Sequence, residues 1–194
     1  MHDNEIVRQI ELRVADPKKR IDMLYEERVA IFPPVLSSML CVAEEQLSLS
    51  LPQLLRQLYL KIGNGGFGPG YGLLGFVGGH LNVEGMSIVD VYFDHLSQIE
   101  NWPKSILPIC EWGESIWTCL DCNTNAGDII TMTEDGLFRT QHNLGSWVGS
   151  WAKGVDLWKQ MFNFEEVKIK NPFTGAEVSH LSPGAAKGNL VMLF

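Results

Sequence analysis

Cys119 and Cys122 stand three apart, the spacing used by zinc knuckles and dithiol redox sites, with Cys110 and His142 as further candidate ligands. A zinc knuckle normally brings a second paired motif, and a redox dithiol opens a helix whose N-terminus stabilises the thiolate. Here the pair closes a run that reads as a strand, where alternate side chains point to opposite faces. The cysteines therefore read as small buried hydrophobes, and neither a metal nor a cofactor is expected. Two glycine sets, Gly63, Gly65, Gly68 and Gly70, Gly72, Gly75, match G-x-G-x-x-G. A dinucleotide site needs that pattern to follow a strand and open a helix. The first set follows a helix and the second lies in an extended run containing Pro69, so both read as turn geometry. His2, His80, His95, His142 and His180 form no metal-ligand or nucleophile motif. Asp121 and Asp128 flank a turn on facing strands, which is formally a carboxylate pair, but acidic residues at turns are commonplace. The tryptophans, 102, 112, 117, 147, 151 and 158, read mainly as core, with Trp147 and Trp151 four apart on one helical face.

The charge pattern is more informative. The 194 residues carry 15 Lys and Arg against 23 Asp and Glu, a formal charge of −8. Between positions 62 and 138 the only basic residue is Lys104, against ten acidic ones, so that segment alone carries −9. Such a surface repels phosphate backbones and steers a cationic protein towards itself. Nucleic acid is therefore not expected as a partner, and the plain alternative is a solvated acidic face that keeps the protein soluble. The composition, 45% hydrophobic, is that of a globular chain. The longest uncharged N-terminal run, 29–43, contains Pro33 and Pro34 and falls short of the roughly 20 residues of a membrane span. No signal-peptide-like run is read at 1–13, so a reducing, cytoplasmic setting without membrane contact is expected.

The elements that must position these residues follow from periodicity. Ile6, Val7, Ile10 and Val14 make a short amphipathic stripe. Asp16-Pro17 predicts the start of a second helix over 17–31. Leu36, Met39, Leu40, Ala43 and Leu47 make another helical stripe. Ser50-Leu51-Pro52 leads into a helix carrying Leu54, Leu55, Leu58 and Tyr59, closed by Gly63-Asn64-Gly65-Gly66 as a glycine C-cap. Beyond it, 71–77, 87–93, 106–110, 115–121, 128–133 and 137–140 read as strands, with 94–99 as a helical turn. Asp135-Gly136 gives a hairpin signal and 123–127 a second reversal, together an antiparallel meander. Helical spacing returns over 143–162, broken at Gly154, and 190–194 reads as a docked tail or strand. Helices, then strands, then helices predict one α+β domain over 1–194, a central antiparallel sheet packed by N-terminal and C-terminal helices.

These pieces, taken in order, resemble the SUKH superfamily, named in part for yeast Smi/Knr-type regulators and widespread among bacterial immunity proteins. Leu51-Pro52 leads to Asn64-Gly65-Gly66; Leu107-Pro108-Ile109 runs to Trp112-Gly113; Cys119-Leu120-Asp121 precedes Gly127-Asp128-Ile129-Ile130; and Trp147 opens the closing helix. The resemblance covers about 34–162, leaving an N-terminal helical extension, 1–33, and a C-terminal extension, 163–194. It implies no catalytic residues and a binding role, commonly the neutralisation of a toxin such as a nuclease.

The expected function is thus a non-enzymatic immunity protein that holds a basic toxin through Glu111, Glu114, Asp121, Asp128, Glu134 and Asp135. A regulatory scaffold binding an endogenous protein is the alternative, and a small metal protein or enzyme using Cys119, Cys122 and His142 the third.

Overall fold

Ile6, Val7, Ile10 and Val14 are all buried along α1 (Asp3–Val14), as their spacing requires. The computed structural model describes residues 3–22, 31–113 and 115–194. Helix α2 (Ser37–Leu47) buries Leu40, Ala43 and Leu47, and α3 (Gln53–Lys61) buries Leu54, Leu55, Leu58 and Tyr59. Removing one such fully enclosed leucine to Ala costs about 2–5 kcal/mol, so these stripes alone account for much of the helical layer's hold.

The helix expected over 17–31 does not begin at Pro17. Residues 17–22 are turns, because their backbone groups are used elsewhere: the Gly68 N–H donates to the Arg20 carbonyl at 2.8 Å and Ile21 bridges Gly68. The Arg20 guanidinium turns back to the Val14 carbonyl at 2.8 Å and closes α1. The rest of that expected helix, 23–30, lies outside the described residues.

Residues 87–93, expected as a strand, instead open α4 (Ile88–Gln98), which also absorbs most of the expected turn at 94–99. The reason is local. Ser87 is an N-cap that accepts from the Asp90 N–H, while the Asp90 carboxylate accepts from the Ser87 N–H at 2.9 Å, a reciprocal pair that fixes the first turn.

The sheet is built from β1 (Ile106–Gly113), β2 (Ile116–Asp121), β3 (Asp128–Thr133), β4 (Gly136–Asn143) and, from the end of the chain, β7 (Asn189–Leu193). All neighbours are antiparallel, in the order β1-β2-β3-β4-β7, so the expected meander is present and the terminal run docks as a fifth strand. Strand β2 is buried along its whole length, which puts it at the centre of the core. Helix α5 (Leu144–Ala152) caps the meander and packs on α1; Gly154, at φ 83°, ends that helical run before α6 (Trp158–Met161). The C-terminal extension also holds β5 (Phe162–Lys170) and β6 (Glu177–Ala186), a separate two-stranded hairpin. The architecture is α+β.

The run 71–77 is a loop, touching β1 through one isolated bridge, Leu73 to Cys110. The preceding glycines explain it. Helix α3 ends at Ile62 in right-handed geometry, not on a glycine cap. Gly65, at φ 80°, serves close approach: a Cβ there would stand 2.6 Å from the Leu73 carbonyl oxygen. Asn64, buried, accepts from the Phe76 N–H at 2.8 Å and donates to the Val77 carbonyl at 3.2 Å, while the Gly66 N–H donates to the Leu73 carbonyl. Asn64-Gly65-Gly66 is a clamp on the 73–80 loop.

Candidate partner-binding surface

Asp121 ends β2 and Asp128 begins β3, and the register sets them directly opposite one another. Like charges in that position repel. Arg139, from β4, resolves the conflict with both arms of its guanidinium: Nη1 donates to Asp128 at 2.6 Å and Nη2 to Asp121 at 2.7 Å. The Asp121 side chain is only 8% exposed. Burial there favours the neutral acid, but the Arg139 guanidinium and the Asn123 N–H, 3.1 Å from the carboxylate, outweigh it and hold its pKa below the ordinary value. The same pair of carboxylates raises the Arg139 pKa.

The other expected contact residues lie elsewhere. Glu134 and Asp135 are exposed on the β3–β4 turn. Glu111, partly buried on β1, lines a cleft of about 290 Å³ with Glu84, Asp94 and His95. Burial and the nearby Glu84 carboxylate raise the Glu111 pKa. Glu114 lies outside the described residues. The six expected positions therefore do not form one uniform face: Asp121 and Asp128 are joined and partly neutralised, Glu134 and Asp135 stay open to solvent, and Glu111 belongs to a recess. Asp121 in particular is a buried, paired group and offers little to a partner directly.

Sequence reasoning missed four residues of this surface, Glu84, Asp94, His95 and Arg139. Arg139 stands one position beyond the acidic segment and so escaped its charge count. Asp94 and His95 face the cleft because 88–98 is helical, and the signal for that was the Ser-x-x-Asp spacing of Ser87 and Asp90.

The thiols sit apart from this surface chemically. Cys110 and Cys119 are buried and their thiols are raised by desolvation; Cys122 is pushed up to about 12, chiefly by burial. Thiols so shifted stay protonated and are poor nucleophiles. Among the described residues, no three His, Cys, Asp or Glu side chains are grouped to hold a metal ion, Cys119, Cys122 and His142 included. The glycine sets lie in the 63–75 loop, where Gly65, Gly66, Gly68, Gly70 and Gly72 take positive φ.

The motif residues that carried the family resemblance share a structural task. Pro52 caps α3, and Leu51 is buried with its N–H donating to Glu44 at 2.8 Å, a carboxylate also paired with Arg56. A Cβ on Gly127, at φ 67°, would meet Leu120 at 2.8 Å and Pro52 at 3.1 Å, so the Leu-Pro and Gly-Asp motifs are packed together. Trp112 donates to the Thr118 hydroxyl at 2.8 Å inside the core, Gly113 turns at φ 86° against Tyr71, and Trp147 is buried in α5. The model of the SMI1 / KNR4 family (SUKH-1) matches residues 34–150. The chain belongs to this family. The SUKH-1 region runs from just before α2 into α5 and contains β1 to β4, with the acidic segment, 62–138, inside it. Helix α1, the β5–β6 hairpin and β7 lie outside the match. The SUKH family is known for immunity proteins and is generally non-enzymatic. No curated protein matches this chain.

Proposed function

We propose that this SUKH-1 protein is a non-enzymatic immunity protein that binds a cognate, basic protein toxin, of nuclease type, and neutralises it by covering its active site. The observation that carries this reading is the concentration of charge: ten acidic residues against one basic between 62 and 138, within the family region. A cleft that binds phosphate is cationic, and an acidic protein surface competes for it by steering and by charge-assisted hydrogen bonds. Glu134 and Asp135, exposed at the β3–β4 turn, and Glu111, at the recess, are the contact residues favoured by their placement; Glu114 and Asp128 complete the set, and Asp121 acts through Arg139. The four cysteines are free, which suits a reducing cytoplasm, where a toxin entering the cell would be met. Among the described residues, no helix is long and apolar enough to cross a membrane.

The test is rescue. Cells expressing each protein encoded beside this gene as a candidate toxin, with and without this protein, are scored for survival, and the purified pair is measured for affinity across a salt series. Rescue with affinity that falls steeply as salt rises supports the reading. A toxin that kills equally in both strains, with no complex formed, overturns it.

A further inference from the structure

The cleft between α4 and the β1–β2 edge has apolar and amide-bearing walls, and its charged side chains, Glu84, Asp94 and Glu111, are all acidic. His95 lines it while being only 7% exposed. Its Nδ1–H donates to the Val91 carbonyl of the preceding turn at 2.9 Å, so in the neutral ring Nε2 carries a lone pair, and that atom is buried without a partner. Its ring is held edge-on by Trp102 at 4.9 Å and Trp117 at 5.4 Å, which removes the freedom to turn elsewhere. Glu111, on the facing strand, already takes the Val83 N–H on its carboxylate, and its Oε2 is buried without a hydrogen-bond partner. Glu84 and Asp94 add two exposed carboxylates at the mouth, and none of the lining residues is Lys or Arg. A buried acceptor left unmet destabilises the free protein, more so when it is charged, and a site that carries such a cost regains it when a donor arrives.

From this geometry we infer that the cleft receives one arginine side chain of the protein partner. A guanidinium presents five N–H donors in a plane and no acceptor, which matches a recess offering Nε2, Glu111 and two further carboxylates. Trp117, also in the lining, supplies an aromatic wall for cation–π contact. A volume of about 290 Å³ suits one long side chain, standing at the small end of the roughly 300–1,000 Å³ of ligand sites. The inference rests on the reading of the partner as a basic protein and adds to it the anchoring point: Glu84, Asp94 and His95 are contact residues beyond those at the β3–β4 turn.

The probe is the peptide acetyl-Gly-Arg-Gly-amide, titrated into the full-length protein with the His95 ring and Trp117 indole signals followed by NMR. Saturable shifts at both are expected, with affinity at least tenfold weaker in E84Q/D94N and unchanged within twofold in E165Q/E166Q, which removes the same charge from exposed positions of β5. Glu84 and Asp94 are exposed, so the first variant keeps the fold. Absence of saturable shifts at His95 and Trp117, or equal losses in the two variants, overturns the inference. Tighter binding of spermidine at the same signals assigns the cleft to a free polyamine instead and also overturns it. In the rescue assay, a toxin neutralised equally well by E84Q/D94N removes the anchor and leaves the immunity reading standing. A toxin that wild-type protein never neutralises, with peptide binding intact, does the reverse.

Discussion

Asp121 and Asp128 face each other across β2 and β3 in exact register, and their shared counter-ion comes from the next strand along, where Arg139 reaches both within 2.7 Å. Three strands are thereby tied at one end by a single guanidinium. Its loss leaves an almost fully buried carboxylate beside a second one. Replacing Arg139 with Met is expected to lower stability by about 2–4 kcal/mol in urea denaturation, below the largest losses for broken buried pairs because the arginine is one-third exposed. Arg139→Lys, which keeps the charge and loses the fork, is expected to recover only part of it.

The acid limb of stability follows from the same pair. Asp121 has its folded pKa below the ordinary 3.8, so the folded state binds its proton less readily than the unfolded chain. Its stabilising contribution is complete above that ordinary value and is lost as the pH falls below it and through the lower folded pKa. Asp121→Asn is expected to flatten the stability profile below about pH 4, measured by urea midpoints at successive pH values, and to be less stable than the wild type at pH 7.

Glu111 has the opposite sign. Burial and Glu84 raise its pKa above 4.5, so between that value and its folded pKa the folded state holds a proton that the unfolded chain has released. Stability gains from this group as the pH falls through the window and is lower above it. Glu111→Gln is expected to raise the urea midpoint at pH 7, with the gain over wild type shrinking as the pH is lowered towards 4.5. A carboxylate that weakens the free protein while reducing partner affinity when removed is the signature of a residue retained for binding.

The clamp at Asn64 provides a test on the fold alone. Asn64→Ala leaves the buried Phe76 N–H without its acceptor and is expected to cost about 1–3 kcal/mol. Gly65→Ala is expected to be at least as damaging, because its φ of 80° and the 2.6 Å approach to the Leu73 oxygen oppose any side chain. Both should speed hydrogen exchange at Leu73 and Phe76 before the sheet is affected.

Helix α1 was legible because its apolar residues keep one helical period, and strands β2 and β3 because short runs rich in strand formers are bounded by turns. The error at 87–93 has a physical source. Ile88, Val89, Val91, Tyr92 and Phe93 are all β-formers in loose alternation, which suggests a strand, whereas the Ser87–Asp90 pair decides the backbone. The β5–β6 hairpin escaped notice because Glu165, Glu166, Lys168 and Lys170 are charged and exposed, so the segment reads as mixed. The acidic segment was visible as a count of charge, but which carboxylates are spent inside the molecule depends on Arg139, whose partners are 11 and 18 residues away. No local pattern carries that information.

The sheet's two flanks are both occupied. On the β1 side, the Tyr71 and Leu74 N–H groups donate to the Glu111 and Ile109 carbonyls; on the β4 side, β7 pairs along Gly136 to Arg139. A partner strand is thus denied β1 and β4, and the outermost rail is the five-residue β7, outside the family region. Under the proposed function, recognition by the acidic residues would then run through side chains, not through main-chain pairing. A scaffold of this kind can exchange its target by altering a few carboxylates at turns and recesses, while the clamp, the core tryptophans and the strand register stay as they are.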